Sequence, residues 1–237
     1  MNTFLKNRIS EPKFCVSIAA PNTSKLKSSI NSAFLSGAHL VEIRLDSLNS
    51  FSIDSIEELS NIHKNNLVLT FRSKHQGGLS NISESDRLQI LKQLLNLKHS
   101  FKDIESDTFN RNSLLFKNEN NLIVSWHNFK NTPSTNSLSG LIKNISKKLS
   151  NPNQIIKIVT YANSLNDCNK VYKLYPRFAK SKFQLLAFCM GENGSISRIL
   201  SPMLGAPFIY CSYGNKATAP GQINIKHLKE IYSNFSY

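Results

Sequence analysis

Acidic residues are scarce in this 237-residue chain: 15 Asp and Glu stand against 29 Lys and Arg, a formal charge of +14. Long apolar runs are missing as well. No stretch approaches the roughly 18 residues needed to cross a bilayer, and Met1–Lys13 is too polar to act as a secretory leader. Cysteine is sparse and scattered. Cys15, Cys168, Cys189 and Cys211 form no CxxC, which argues against a structural zinc site and for reduced, buried thiols in a reducing compartment. No GxGxxG follows the first apolar run, so the dinucleotide-binding signature is absent. There is no arginine-rich tail, RNP-like aromatic strand or zinc-finger spacing. No internal repeat, low-complexity tract or Pro-rich linker divides the chain. The expectation is a cytoplasmic globular protein made of a single domain over residues 1–237.

What is present supports a packed core. Hydrophobic residues make up 40% and charged residues 19%, which excludes a disordered or fibrous chain. The excess positive charge is spread along the whole length, with Lys147–Lys148 the only adjacent basic pair. That spread reads as a lysine-rich solvated surface rather than a nucleic-acid or membrane footprint, and it also suits attraction of an anionic metabolite.

Short apolar runs alternate with longer amphipathic ones. Strands are predicted at Lys13–Ala19, His39–Leu45, Asn66–Arg72, Phe101–Glu105, Asn121–His127, Ile155–Thr160, Phe183–Met190 and Pro207–Ser212. Helices are predicted near Ser24–Ser36, Ser52–His63, Ser83–Leu97, Asp107–Phe116, Ser137–Lys148, Ser164–Tyr175, Ser195–Ser201 and Ile225–Ser233. Several open on Ser or Asp, whose side chains accept from free backbone N–H groups, and Ser83 with Asp86 has capping-box spacing. Leu88, Leu91 and Leu95 recur at helical spacing. Strand–helix alternation favours a parallel sheet, and eight repeats in this length favour a closed (β/α)8 TIM barrel, an α/β fold, over an open sheet.

Polar residues then stand out on the strands. Residues two apart share one face of a strand. Glu42 and Arg44 take one face of Val41–Leu45 and the apolar residues the other; Arg72 ends its strand; Asp103 pairs with Glu105, and Ser125 with His127. Lys157 lies among Ile155, Ile156, Ile158 and Val159. The outward face of a barrel must be apolar to pack on helices, so these groups converge inside, near the C-terminal strand ends where barrel enzymes place their chemistry. A merely structural core would not gather so many charges, because burying each costs several kcal/mol.

Lys157 admits two readings. Its aliphatic neighbours strip hydration from the ammonium and favour a neutral, nucleophilic amine able to form a Schiff base; alternatively it is a core lysine paired with Glu42, Asp103 or Glu105. His127 is the natural proton carrier. Met190–Arg198 is a Gly-rich turn entering a helix, whose N–H groups and Arg198 suit an anion. Thr218–Gln222 is either a polar cover for the site or an ordinary Pro-Gly turn.

In order and spacing, several segments together resemble type I 3-dehydroquinate dehydratase. They are Val41-Glu42-Ile43-Arg44-Leu45-Asp46; Thr70-Phe71-Arg72-Ser73 through Gly77-Gly78; Ser125-Trp126-His127-Asn128-Phe129 with Thr132-Pro133; Lys157-Ile158; Met190-Gly191 with Gly194 and Ser197-Arg198; and Ala219-Pro220-Gly221-Gln222. The resemblance covers nearly the whole chain. It implies a (β/α)8 barrel, a homodimer, no metal or organic cofactor, and 3-dehydroquinate as substrate in the shikimate pathway. It further implies Lys157 as Schiff-base nucleophile and His127 as general acid/base. Arg198, Gln222 and Thr218 then bind the substrate carboxylate and its surroundings, while Glu42, Arg44 and Arg72 position ring hydroxyls. Two positions depart from the family pattern. Gln76 stands where a glutamate commonly orients the catalytic histidine, so Asp103 or Glu105 is expected to take over part of that role. Thr218 stands where the family often has Ser and keeps the hydroxyl. The rival expectations are another Schiff-base barrel enzyme such as an aldolase, a weakened relative, and a basic nucleic-acid-binding protein.

Overall fold

The computed structural model describes residues 12–214 and 218–234, so most of the segment read above as leaderless lies outside the described residues. Eight strands form one sheet: β1 Phe14–Ile18, β2 Leu40–Arg44, β3 Leu67–Thr70, β4 Phe101–Glu105, β5 Leu122–Asn128, β6 Ile155–Tyr161, β7 Gln184–Met190 and β8 Ile209–Cys211. Every ladder between them is parallel, in the order β7-β6-β5-β4-β3-β2-β1-β8. All eight expected strands are present, each within a few residues of its expected limits.

Among the described residues ten α-helices join or follow the strands: α1 Thr23–Leu35, α2 Ile53–Ile62, α3 Glu84–Leu94, α4 Ser106–Arg111, α5 Ser113–Phe116, α6 Thr135–Ser146, α7 Leu165–Tyr172, α8 Leu174–Phe178, α9 Ser195–Leu200 and α10 Ile225–Ser233. Ser83 caps α3 as its spacing implied, accepting from the Asp86 N–H at 3.1 Å. Ser52 caps α2 and Ser164 caps α7, also where expected, whereas two caps sit earlier: Asn22 caps α1 and Ser134 caps α6. Two expected helices are each broken in two. The segment from Asp107 to Phe116 breaks at Asn112, which leaves helical geometry. The segment from Ser164 to Tyr175 breaks before α8, where Pro176 has no N–H to give the carbonyl of Tyr172.

The strand periodicity sorts side chains into two cores. Phe14, Val16, Val41, Ile43, Leu67, Leu69, Ile104, Val124, Ile156, Ile158 and Ala187 face outward and pack under the helices. Cys15, Leu40, Val68, Ile123, Ile155, Leu186 and Phe208 fill the barrel interior. One detail departs from the expected closure. Among the described residues no ladder joins β7 to β8; the rings of Phe188 and Tyr210 meet across that seam, 6.2 Å apart. The three residues of β8 pair with β1 along one edge, and side-chain packing meets β7 at the other. No helix among the described residues is long and apolar enough to cross a membrane.

Candidate active site

Above the apolar floor of the barrel, the inward positions turn polar. Lys157, the register partner of Ser125 on β5, is buried with its Nζ 3.0 Å from Asp103 Oδ2 and 3.5 Å from Glu42 Oε1. The same nitrogen lies 4.1 Å from the centre of the Tyr210 ring. The paired-lysine reading is therefore correct for the resting protein, with Glu42 and Asp103 as partners.

Each of those carboxylates is held by several donors. Glu42 accepts from Ser17 Oγ at 2.5 Å, Thr70 Oγ1 at 3.0 Å and Tyr210 Oη at 3.2 Å. Burial pushes its carboxyl up, but the Lys157 ammonium, with help from Arg44 and the Ser17 hydroxyl, holds it below the usual range. Asp103 accepts from Ser125 Oγ at 2.5 Å and pairs with Arg72 at 3.0 Å. Burial again opposes ionisation, and Arg72 and Lys157 outweigh it, so Asp103 stays far below the ordinary carboxylate range. Arg72 also donates to Ser125 Oγ at 2.8 Å and lies 3.6 Å from Glu105. The result is one connected inner ring of alternating charges.

His127 sits one inward step further along β5 than Ser125, stacked against Phe129 with ring centres 5.9 Å apart. Its Nδ1 is 3.0 Å from Gln76 Oε1. Burial, then the nearby cations Arg72 and Lys157, push the imidazole well below its usual value, so it is neutral at neutral pH. Gln76 reaches it because the chain turns sharply after β3. Gly77 has φ of 81°, and a Cβ at Gly78 would come within 2.1 Å of the Arg72 carbonyl oxygen. Asp46 fixes the same turn from the other side: it grips Arg44 with both oxygens, at 2.9 and 2.7 Å, and accepts from the Leu79 N–H at 3.0 Å.

Of the two substitutes expected for the missing glutamate, Asp103 contributes a field at the imidazole. Glu105 is bound elsewhere: its oxygens take the Ser73 N–H at 2.7 Å and Arg87 Nη1 at 2.5 Å.

Arg198, on α9, forms the opposite wall. It is 2% exposed, its guanidinium lies 4.3 Å over the Phe188 ring, and Nη2 donates to the Pro220 carbonyl at 3.2 Å. Its Nε has no partner among the described residues. The buried guanidinium groups of Arg72 and Arg87 each touch a carboxylate, whereas Arg198 touches none among the described residues. Burial accordingly pushes it down to about 10. The turn above it is closed by Gln222, whose Oε1 accepts from Thr218 N at 2.8 Å and Thr218 Oγ1 at 3.1 Å, leaving the amide N–H groups to donate.

The eight residues given catalytic or binding roles by the resemblance, Glu42, Arg44, Arg72, His127, Lys157, Arg198, Thr218 and Gln222, line one cavity of about 230 Å³; Asp103, Glu105 and Ser125, also expected to face inward, are not part of its lining. Tyr210 and Phe188, which no charge pattern flagged, line it too. Their signal was positional: each is an aromatic residue on the inward face of its strand. No cluster among the described residues has the makings of a metal site.

A parallel barrel whose mouth narrows to a small basic cavity with an uncompensated guanidinium belongs to the class of α/β-barrel enzymes that work on small anionic molecules. Comparison with known proteins makes the assignment specific: the model of the type I 3-dehydroquinase family matches residues 14–236, and the chain belongs to that family. A 3-dehydroquinate dehydratase from Methanococcus maripaludis is 33% identical over 222 residues, covering 92% of this chain and 97% of the relative. The crystal structure of the Aquifex aeolicus 3-dehydroquinate dehydratase superposes with a TM-score of 0.77 at 27% identity, over 94% of this chain and 98% of the other. The Geobacillus kaustophilus enzyme superposes at 0.83 with 21% identity, over 95% and 91%, a likeness of fold.

Proposed function

We propose that this protein, a 3-dehydroquinate dehydratase of the shikimate pathway by family, converts 3-dehydroquinate to 3-dehydroshikimate and water through a Schiff base on Lys157. The observation that carries the proposal is a single cavity holding a buried amine, a neutral imidazole and a buried guanidinium with no carboxylate partner among the described residues.

The chemistry starts when the Lys157 ammonium passes a proton to His127 and its amine attacks the C3 ketone carbon; His127 then returns that proton to the carbinolamine hydroxyl. The carbinolamine loses its hydroxyl as water, and an iminium remains. The iminium bears the same positive charge in the same place as the ammonium, so Asp103 and Glu42 stabilise both. Its nitrogen draws electrons from the C2–H bond, and His127 Nε2 removes that proton to leave an enamine. The imidazolium then protonates the C1 hydroxyl; the enamine pushes out water and becomes a conjugated iminium. Hydrolysis returns the amine and releases the enone. Arg198 and the Gln222 amide hold the C1 carboxylate, and Thr218 supports Gln222. Glu42, Arg44 and Arg72 face the ring hydroxyls. Fixing the ring in this way supplies several kcal/mol of the barrier reduction, up to about 7–11 in ideal intramolecular cases.

The residues need no cofactor for these steps. A homodimer of single-domain protomers in the cytoplasm completes the proposal, and sedimentation velocity tests the dimer. The chemical test is borohydride reduction in the presence of dehydroquinate. Mass spectrometry is expected to find the adduct on Lys157, and Lys157→Ala to remove it. An adduct on another lysine, or growth of enone absorbance in Lys157→Ala, would defeat the proposal.

A further inference from the structure

In most of the site the charges are settled by direct ion pairs, but the imidazole is held by an amide. Gln76 presents Oε1 to His127 Nδ1 at 3.0 Å and Nε2 to Asp107 Oδ1 at 3.4 Å. A carboxylate looks the same from both of its oxygens; a carboxamide does not. Its oxygen accepts the Nδ1–H proton and leaves the lone pair on Nε2 of the ring. Its NH2 group, turned the other way, donates to Nδ1 and forces the proton onto Nε2, where the ring is no longer a base. Something must choose between the two.

We infer that Asp107, at the start of α4, is the positioning residue that makes this choice: by accepting from Gln76 Nε2 it keeps Oε1 against His127 and sets the Nδ1–H tautomer. The flipped amide would keep a bond to the ring, in the Nε2–H tautomer, but would place Oε1 against an Asp107 oxygen, acceptor facing acceptor, and lose the bond to Asp107.

The carboxylate is itself anchored. His75 Nε2 lies 3.3 Å from Asp107 Oδ2 and Arg111 Nη2 also lies 3.3 Å from it, so Oδ1 is the oxygen left for Gln76. The backbone of both partners is fixed independently: Gln76 ends the tight turn closed by Gly77 and Gly78, and Asp107 lies in the first turn of α4, directly after β4. Negative charge thus enters the histidine network one residue further out than a glutamate at position 76 would carry it. The sequence shows the substitution at Gln76 but not its partner, because the two residues are 31 positions apart.

This inference rests on the role given to His127 under the proposed function, and the experiment separates the two. Asp107→Asn and Asp107→Ala are compared with the parent by nitrogen NMR of labelled histidine, by steady-state kinetics and by borohydride trapping. Asp107→Asn can offer Gln76 either a donor or an acceptor, so the amide is no longer oriented. The His127 resonances are expected to move from a single Nδ1–H form to a mixture, and kcat to fall about tenfold with KM within about twofold, the scale of one charge-assisted hydrogen bond lost beside a reacting group. In a Gln76→Glu background, position 76 has no orientation to lose and two carboxylates face each other, so adding Asp107→Asn is expected to cost nothing or to restore activity. An unchanged tautomer in Asp107→Asn, or an equal loss of kcat in both backgrounds, overturns the inference and leaves Asp107 as an anchor for His75 and Arg111 alone. If the parent protein forms no Lys157 adduct, the proposed reaction falls, and the nitrogen spectra still decide what Asp107 does.

Discussion

Replacing Arg198 by Met should cripple the enzyme and stabilise the protein. A structural arginine cannot give that pair of outcomes. Burial lowers this guanidinium from its ordinary value to about 10, and at about 1.4 kcal/mol per unit the folded state carries a cost on the order of 3 kcal/mol at neutral pH. The sign follows from linkage. The folded protein holds the proton less tightly than the unfolded chain, so the cost is fully present below about pH 10 and disappears only above the ordinary value. Against it stand the contact with Phe188, worth about 0.5–2 kcal/mol, and one bond to the Pro220 carbonyl, worth about 1 kcal/mol. Met keeps much of the apolar contact. The balance is a gain of about 1–2 kcal/mol, read as a rise of roughly 2–8 °C in Tm for a chain of this size. Binding moves the other way. Losing a buried guanidinium–carboxylate pair costs about 2–5 kcal/mol, or roughly 30- to 4000-fold in kcat/KM. The assays are thermal unfolding without substrate and enone absorbance across dehydroquinate concentrations. A destabilised Arg198→Met protein with unchanged kcat/KM would refute the reasoning and make Arg198 part of the scaffold.

Other residues give sharper single readouts. His127→Ala is expected to slow turnover by about 10²–10⁴ while the Lys157 adduct still forms; unchanged turnover removes His127 from the reaction. Because burial and the neighbouring cations hold His127 well below 6.5, the acidic limb of kcat/KM should lie below that value, and acidification from 6.5 should cost stability as the unfolded chain gains a proton the folded one refuses. Asp103→Asn leaves Arg72 and Lys157 short of a shared counter-ion and is expected to destabilise by about 3–5 kcal/mol, measured by denaturant unfolding. The Asp103 contribution is fully present above 3.8 and lost as pH falls below it. Gly78→Ala would push a Cβ to 2.1 Å from the Arg72 carbonyl oxygen, so it should shift the Gln76 turn and lower kcat; wild-type kinetics would show that the turn tolerates it.

Much of the site was legible because strands alternate. Glu42 with Arg44, Asp103 with Glu105, and Ser125 with His127 could be placed on inward faces from spacing alone, and Arg198 from its position after the Gly-rich turn. Glu105 shows the limit. Spacing put it on the right face, but Arg87, on α3, and the Ser73 N–H claim its oxygens and keep it from the imidazole. The broken helix before Pro176 was written in the sequence by that proline. The break at Asn112 carried no such mark.

By itself the sequence determined the eight strands, their inward and outward faces and the charged strand residues that enter the cavity, because these depend on local periodicity and on residue chemistry. Only the tertiary structure decided which charges neutralise one another. Lys157 finds its partners 54 and 115 positions away on β4 and β2 (from residues 157, 103 and 42), Gln76 finds Asp107 across two loops, and Arg198 finds no carboxylate among the described residues. Coulomb interactions and hydrogen bonds depend on distances of a few ångströms, and a chain folded into a barrel sets those distances through its closure and not through the order of its residues.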